Sequence, residues 1–429
     1  MDLKIRIWTI TKVVVGLVIL SALVIVVLNL LPEKREVRQP LAYQFGISDP
    51  QFLRTMNSVF GADLETGHSI ETLVNGDAIF PPMLKAIAEA KVTINFLTYI
   101  YWSGDIAEVF ANALAAKARE GLEVRVLLDW AGSIPFDQRL IDTMEGAGVV
   151  VHRFRPIHWY SIDRVNNRTH RKLLIVDGTI GFTGGVGIGD EWQGNARNPD
   201  EWRDNHYRVE GPAVSDMQAA FAENWLEASN EVLQGDKFYP AHVGSGPLVA
   251  QHLKSSPEGG SGSMHQMLLI ALAASKEHVR IASAYFVPDS VIIAQLTALT
   301  QRNVKVDIIL PGDMTDVPMS RRASRHLWGP LLKAGVRIYE YQPTMYHTKM
   351  VIIDNAWASI GSANFDERSF RLNDESNLNV LDRNFAQQQA DLFDNDVEQS
   401  REIILQEWEE RSIWTKTMDW GASLLRTQL

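Results

Sequence analysis

The stretches HRKLLIVD at residues 170–177 and HTKMVIID at residues 347–354 decide the fold, because both follow the pattern H-x-K-x4-D. In each copy an apolar run follows the lysine. A turn of small residues then begins seven positions after the aspartate, GGVG at 184–187 and GSAN at 361–364. One copy alone carries little weight, whereas two copies in matching surroundings indicate an internal duplication.

Further matching stretches extend the duplication in the same order along both halves. Their short apolar runs, separated by helical stretches such as residues 105–120, are typical of an α/β unit with a largely buried sheet. The fold class predicted from the pattern is therefore α/β. The matching pairs are AIAEAK at 86–91 with ALAASK at 271–276, VRVLLD at 124–129 with VDIILP at 306–311, and GAGV at 146–149 with KAGV at 333–336.

The chain divides into seven predicted segments. A stretch rich in glycine, serine and proline between the two halves predicts a flexible connection there. The segments are an N-terminal flank (1–12), a transmembrane helix (13–31), a juxtamembrane linker (32–65), a first catalytic domain (66–240), the flexible linker (241–265), a second catalytic domain (266–409) and a tryptophan-containing tail (410–429).

The predicted transmembrane helix rests on 19 consecutive uncharged positions, residues 13–31. A helix of that length spans about 28 Å, close to the hydrocarbon thickness of a bilayer. A cleaved signal peptide is the alternative, but the run is long for one and lacks a small-residue cleavage pattern. Basic residues flank both ends, so the sequence leaves open which side of the membrane the remaining chain faces. The C-terminal tail either touches the bilayer or packs against the catalytic body.

Composition excludes several kinds of chemistry. The chain has no cysteine, which excludes disulfides, thiolate catalysis and cysteine-ligated metals. With 52 acidic against 41 basic residues the net charge is −11, which disfavours nonspecific binding of nucleic acid. The remaining histidines show no metal-ligand spacing, so we expect neither a metal nor a cofactor.

Strand geometry predicts which motif side chains face one another. Successive side chains of a strand alternate between faces, so His170 and Lys172 point the same way, and Asp177 points to the opposite face. The spacing repeats in the second copy with His347, Lys349 and Asp354. All six residues form the predicted catalytic set, in which we rank the two aspartates as structural.

These motifs identify the chain as similar to the phospholipase D superfamily and, within it, to bacterial cardiolipin synthases. The resemblance covers about residues 66–400. It includes the stretch GSANFDERSF at 361–370, followed by Asn373 and Glu375, and the stretch YFVPD at 285–289. It implies two phospholipase D-type domains, each a mixed β-sheet flanked by helices, packed as a pseudo-twofold pair.

The resemblance also implies a mechanism through a phosphohistidine. One imidazole attacks phosphorus, and the other protonates the leaving alcohol and then deprotonates the incoming one. The internal symmetry leaves the two roles open, and the family likeness implies His170 as the nucleophile and His347 as the acid and base. Lys172 and Lys349 then neutralise phosphate oxygens, and the resemblance adds further phosphate-binding groups at Asn364 and Ser362.

Two carboxylates are predicted to orient the histidines. An attacking imidazole needs its second nitrogen held, usually by a carboxylate. In the family these acids cross between halves, which implies that Glu375 holds His170 and Asp204 holds His347. The first copy has Gly187 where many relatives have asparagine, so the first half lacks one phosphate-binding amide.

The predicted function is a membrane-anchored phosphatidyltransferase that condenses two phosphatidylglycerol molecules to cardiolipin and glycerol. Its partners are the phospholipid substrate and the bilayer, with no nucleic acid and no obligate protein partner, and its predicted location is the bacterial cell membrane with a single pass. The alternative is a phospholipase D-type hydrolase that yields phosphatidic acid. A nuclease and a catalytically inactive scaffold are less favoured.

Overall fold

The computed structural model describes most of the chain. The last position of the predicted transmembrane helix, part of the juxtamembrane linker and residues 257–261 of the predicted flexible linker lie outside the described part. The described residues are 2–30, 37, 39–157, 166–241, 244, 246–256 and 262–429.

The N-terminal helix α1 spans Asp2–Leu30. The side chains at positions 11–25 are exposed. Among the residues described, no helix has both the length and the hydropathy of a membrane crossing.

The first half of the remaining chain alternates strands and helices, as the apolar pattern predicts. Its elements are α2 (Pro50–Phe60), β1 (Glu65–Val74), α3 (Asn75–Glu89), β2 (Thr93–Thr98), α4 (Asp105–Arg119), β3 (Glu123–Asp129), α5 (Gln138–Gly146), β4 (Val150–Phe154), β5 (Leu173–Val176), β6 (Ile180–Gly184), β7 (Asn205–Glu210) and α6 (Ala213–Ser229).

The second half repeats this order with β10, β15 and α10 inserted, and it adds further short elements at its end. Its elements are β8 (Leu248–Ser255), α7 (Ser263–Ala273), β9 (His278–Ala282), β10 (Phe286–Val287), α8 (Ser290–Gln301), β11 (Lys305–Pro311), α9 (Pro318–Lys333), β12 (Arg337–Tyr341), β13 (Met350–Ile353), β14 (Trp357–Gly361), β15 (Phe365–Asp366), α10 (Glu367–Arg371), β16 (Glu375–Val380), α11 (Arg383–Glu398), β17 (Ser400–Glu402), α12 (Leu405–Glu409) and α13 (Ile413–Ser423).

A single mixed sheet of 15 strands carries both halves. Its order in the first half is β4-β3-β2-β5-β6-β7-β1, and the second half has the matching order β12-β11-β9-β13-β14-β16-β8, with β17 added at the outer edge. In each half three strands are parallel, β2 with β3 and β4, and β9 with β11 and β12. The other neighbours in the sheet pair antiparallel. The two halves therefore share the same strand topology, as expected from the duplicated sequence.

The two half-sheets join where β1 pairs with β8, with Glu65 opposite Ala250 and His68 opposite Leu248. Strand β8 lies inside the stretch predicted as a flexible linker, and for its residues that prediction is wrong. The physical reason is that the edge strand of each half has unpaired backbone groups, which the pairing of β1 with β8 satisfies.

Burial explains why the central strands are continuous apolar runs. Every residue of β2, β5 and β13 is buried, as expected for strands covered by helices on both faces. Helix α4 covers one face with Ile106, Phe110 and Leu114, which recur at helical spacing. Helices α6 and α11 pack into one apolar cluster that draws side chains from both halves. The two predicted catalytic domains therefore share a core.

Candidate active site

The two motif histidines lie at matching places, just before β5 and β13. His170 is 7% exposed and His347 is 3% exposed, so both imidazoles are buried. The lysine two positions later folds back in each copy. The Lys172 Nζ donates to the carbonyl oxygen of His170 at 2.8 Å, and the Lys349 Nζ donates to that of His347 at 2.6 Å. Each half therefore delivers one imidazole and one ammonium as a unit.

Short backbone bridges connect each histidine to the opposite half. The backbone N–H of His170 donates to the carbonyl oxygen of Asp374 at 2.9 Å, and that of His347 donates to the carbonyl oxygen of Arg203 at 2.8 Å. In both cases the next residue along the partner strand is an acid, Glu375 in one and Asp204 in the other. The same register thus places a carboxylate beside each imidazole.

The imidazole–carboxylate contacts cross between the halves, with the pairing that the resemblance implied. The His170 Nδ1 lies 3.0 Å from the Glu375 Oε1, and the His347 Nδ1 lies 2.7 Å from the Asp204 Oδ2. A carboxylate acceptor at Nδ1 keeps a proton on that nitrogen. The Nε2 atom of each ring is then left with a lone pair for attack or proton transfer.

Burial sets the charge of the two imidazoles. It lowers the pKa of His170 to about 4, with Glu375 opposing the shift and Lys172 adding to it. Burial and then Lys349 lower the pKa of His347, against the opposing effect of Asp204. Desolvation disfavours the charged imidazolium. His170 is consequently a neutral base at neutral pH.

The two lysines are also shifted by burial. Loss of solvent lowers the pKa of Lys172 to about 7 and that of Lys349 to about 8, although Glu375 and Asp204 favour the charged forms. An anionic phosphodiester between the ammonium groups favours their charged forms further. The pocket is therefore suited to an anion that compensates two buried cations.

The two orienting carboxylates remain ionised. Burial alone raises the pKa of Glu375, but His170, Lys172 and Ser362 outweigh burial and lower it to about 2. For Asp204 the contact with His347 outweighs burial in the same way and lowers its pKa. An ionised carboxylate beside an imidazole stabilises the imidazolium form that takes part in proton transfer.

The two carboxylates have different second partners. The Ser362 hydroxyl donates to the Glu375 Oε2 and accepts from the Ser376 N–H. In the first half the matching residue is Gly185, where an added Cβ would lie 2.2 Å from the Asp204 Oδ1. Asp204 instead accepts from the Trp192 Nε1 at 3.0 Å.

This contact changes the interpretation of Ser362, which was predicted to bind the substrate phosphate. Its side chain is fully buried, and its hydroxyl is already engaged with the orienting carboxylate. A hydroxyl that donates its only proton to Glu375 has none left for a phosphate oxygen. The geometry gives Ser362 the role of holding Glu375 in place.

Asn364 and Gly187 occupy matching positions and make the site asymmetric. The Asn364 side chain is 3% exposed, and its Oδ1 atom has no hydrogen-bond partner among the described residues. At Gly187 an added Cβ would lie 2.9 Å from the Cβ of Ile100. The first half therefore has no room for an equivalent amide unless Ile100 shifts.

Aromatic rings surround the two imidazoles. The ring centroid of Tyr99 lies 5.2 Å from that of His170. Around His347 the centroids of Trp192, Trp202 and Tyr285 lie at 5.2, 5.5 and 6.5 Å. Rings at these distances exclude water and strengthen the electrostatic contacts between the charged groups.

The motif aspartates lie at the far ends of β5 and β13 from the histidines. Asp177 and Asp354 both adopt positive φ, 53° and 54°. The carboxylate of each accepts three successive backbone N–H groups at the start of a neighbouring strand. These contacts fix the ends of the neighbouring strands, and the place of the two aspartates in the catalytic set stays a prediction. The structural rank that strand parity predicted agrees with this placement.

Sequence reasoning missed Asp129 and Trp192. Asp129 accepts from the backbone N–H of Thr169 at 3.0 Å and so fixes the residue before His170. Burial raises the pKa of Asp129 to about 6. The signal for Asp129 was its place at the end of the apolar run 124–128. Trp192 had no signal, because its contact with Asp204 depends on the loop between β6 and β7.

Known proteins are similar to this chain over the region that contains the candidate active site. A family model described as "Cardiolipin synthase, PLD-like domain" matches residues 83–225 and 268–397, which include both copies of the motif. Cardiolipin synthase 1 of Bacillus cereus is 35% identical over 357 residues, covering 81% of this chain and 70% of that protein. Cardiolipin synthase A of Pseudomonas fluorescens is 35% identical over 356 residues, covering 83% of this chain and 74% of that protein.

A solved structure shares the fold. The crystal structure of phosphatidylserine synthase from Haemophilus influenzae matches with a TM-score of 0.64 and 14% sequence identity. The match covers 88% of this chain and all of that one. At this identity the likeness concerns the fold alone.

Proposed function

Because this chain belongs to the cardiolipin synthase family of phospholipase D-like proteins, we propose that it is a phosphatidyltransferase that converts two phosphatidylglycerol molecules into cardiolipin and glycerol. The observation that carries the proposal is the crossed pair of imidazole–carboxylate contacts, His170 with Glu375 and His347 with Asp204. Two equivalent nitrogen bases in one buried pocket suit a reaction in two displacement steps.

In the first step the His170 Nε2 attacks the phosphorus of one phosphatidylglycerol. A P–N bond forms and the P–O bond to the headgroup glycerol breaks. The imidazolium of His347 gives its proton to the departing oxygen, and free glycerol leaves. The phosphatidyl group then remains on His170 as a phosphoramidate.

In the second step a headgroup hydroxyl of another phosphatidylglycerol gives its proton to the now neutral His347. The hydroxyl oxygen attacks phosphorus, a new P–O bond forms, and the P–N bond to His170 breaks. His170 returns to its neutral form and His347 to its protonated form. The sum of both steps is cardiolipin and glycerol, with no change in total charge or proton count.

The charges around the histidines support this division of roles. A nucleophile must be unprotonated, and burial lowers the pKa of His170 to about 4. An acid must hold a proton during the reaction. Burial and Lys349 lower the pKa of His347, and two carboxylates, Asp204 and Asp316, oppose that lowering. These two acids stabilise the imidazolium of His347 when it forms, whereas Glu375 is the acid beside His170.

The other pocket groups act on the phosphate. Lys172 and Lys349 neutralise its non-bridging oxygens, and the Asn364 amide donates to the charge that develops in the transition state. Ser362 acts through Glu375 rather than on the substrate.

Hydrolysis to phosphatidic acid is the second candidate function. Gly187 supports it, because the first half lacks the amide that Asn364 provides in the second. Water in place of the second phosphatidylglycerol needs no other change in the chemistry. Transfer is favoured because the aromatic rings around His347 limit access of water to the proton-transfer nitrogen.

The membrane anchor is part of the proposal. Residues 13–31 carry no charge, and the described side chains at positions 13–25 are exposed on helix α1. An exposed apolar helical surface of this kind fits lipid. We assign the protein to the cell membrane with a single pass, and residues 66–240 and 266–409 to two catalytic repeats.

Lipid mass spectrometry of the purified full chain tests the function. Incubation with phosphatidylglycerol is expected to give cardiolipin and glycerol in equal amounts, and the His170→Ala variant is expected to give neither. Phosphatidic acid as the main product with wild-type protein would favour the hydrolase. Unchanged lipid would reject both functions.

A further inference from the structure

The C-terminal helix α13 has an exposed apolar face. One side of the helix and the turn after it present large apolar side chains to the surface. These side chains, with their exposed fractions, are Ile413 (84%), Trp414 (73%), Met418 (38%), Trp420 (54%), Leu424 (63%) and Leu425 (50%). This set is called the α13 face below.

The opposite side of α13 is firmly packed, so the exposure does not reflect a helix without a fixed orientation. Asp419 is fully buried and accepts from the guanidinium of Arg325 in α9 at 2.8 Å, and it also pairs with Arg411. Ala422 packs with Ala323 of α9 and with Val287. A buried ion pair and an apolar contact hold one orientation in which both exposed tryptophans point outward.

The packed side of α13 lies near the active site. Val287, against which α13 packs, belongs to β10, and β10 pairs with β15 in a short parallel ribbon. The residues that precede these two strands are Tyr285 and Asn364, both in the candidate active site. Arg426, just after α13, lies 3.4 Å from Glu367, which follows β15 directly.

We propose that the α13 face is a membrane-contact surface that lies in the headgroup region of the bilayer and holds the catalytic body against the lipid. Tryptophan beside leucine and isoleucine is the composition that favours the membrane–water interface. The exposed Lys416 adds positive charge near the face, which complements anionic headgroups.

The proposal deepens the proposed function, because it states how a lipid-embedded substrate reaches a buried pocket. It also distinguishes the three tail tryptophans. The Trp408 Nε1 donates to the carbonyl oxygen of Arg325, and its ring packs on Gly329. Trp414 and Trp420 are the exposed pair. The tail thus both packs on the catalytic body and presents a surface.

The absence of cysteine gives a direct test, because a single introduced thiol carries a spin label at one defined place. The variants are Trp414→Cys and Trp420→Cys in the full chain, reconstituted in vesicles of phosphatidylcholine with phosphatidylglycerol. The matched control is Val232→Cys, which is 67% exposed. It follows Glu231, whose carboxylate binds Arg125 near the start of β3, at the end of the strands away from the histidines.

Power-saturation electron paramagnetic resonance then reports whether oxygen or a water-soluble nickel complex reaches each label. We expect labels at 414 and 420 to favour oxygen, as in the bilayer, and the label at 232 to favour the nickel complex. Water-like accessibility at both 414 and 420 would overturn the proposal. Dipolar broadening between labels at 414 would also overturn it, because that result means a second copy of the chain covers the face.

Kinetics provide a second test. The double variant Trp414→Ser/Trp420→Ser is expected to raise the apparent KM for phosphatidylglycerol in vesicles by about tenfold, roughly the loss of one apolar contact with lipid. Turnover of a short-chain, monomeric phosphatidylglycerol is expected to be unchanged, as is that of Val232→Ser on both substrates. An unchanged KM in vesicles would contradict the proposal. If wild-type protein turns over neither substrate, the proposed function fails, and the spin-label result still decides the membrane contact.

Discussion

Replacing Glu375 with glutamine removes the charge that holds His170 while keeping the size and shape of the side chain. The contacts of Glu375 outweigh its burial and lower its pKa from 4.5 to about 2. That difference corresponds to about 3 kcal/mol of favourable interaction, at about 1.36 kcal/mol per factor of ten. If the transition state loses this amount, kcat falls by roughly 10²- to 10³-fold.

The assay is the initial rate of cardiolipin formation by full-length Glu375→Gln, together with its thermal unfolding. The matched control is Asp374→Asn, because Asp374 is the neighbouring buried acid and its carboxylate binds Asn224 rather than an imidazole. We expect the control to keep a rate within about threefold of wild type. A folded Glu375→Gln protein with a rate as high as the control would refute the assignment of Glu375 to His170.

Three further predictions follow from the same geometry. The value of kcat/KM should rise with pH as His170 loses its proton near its pKa of about 4. It should fall at higher pH as the acid His347 and the two lysines lose their protons, the lysines with pKa values of about 7 for Lys172 and about 8 for Lys349. A pH–rate profile without this decline would contradict the roles of His347 and the lysines. Asp177→Ala should lower the free energy of unfolding by about 2–3 kcal/mol, because three backbone N–H groups at the start of β2 lose their acceptor. The rate per folded molecule should stay nearly unchanged; denaturant unfolding and active-site titration check both parts. Asp419→Ala should lower the free energy of unfolding by about 3 kcal/mol, because two guanidinium groups lose a buried partner, and protease sensitivity confined to the C-terminal tail would show that α13 has come away.

The duplication could be predicted because both halves contain the same short sequence motifs in the same order. Each H-x-K-x4-D motif lies beside a four-residue apolar strand, and alternation along that strand separates the lysine from the aspartate. This parity predicted that Asp177 does not face the phosphate, and the structure places its carboxylate on backbone N–H groups instead. Local periodicity was therefore enough to predict the fold class and the histidine–lysine pairs.

Features that depend on contacts between the halves could not be predicted in the same way. The pairing of β1 with β8 joins residues about 180 positions apart, and the glycine- and serine-rich composition around β8 favoured a linker instead. The same holds for the Trp192 contact with Asp204, since no spacing rule connects an indole to a carboxylate 12 residues later. Ser362 was assigned to phosphate by resemblance, whereas its contact with Glu375 follows only from the packed position of β16.

The phosphohistidine on His170 can be detected by peptide mass spectrometry after rapid quenching of the enzyme with phosphatidylglycerol. We expect a phosphatidyl adduct on the peptide that contains His170, present in wild-type protein and absent in His170→Ala. Cardiolipin formation without any adduct on either histidine, or with full activity in His170→Ala, would contradict the two-histidine mechanism.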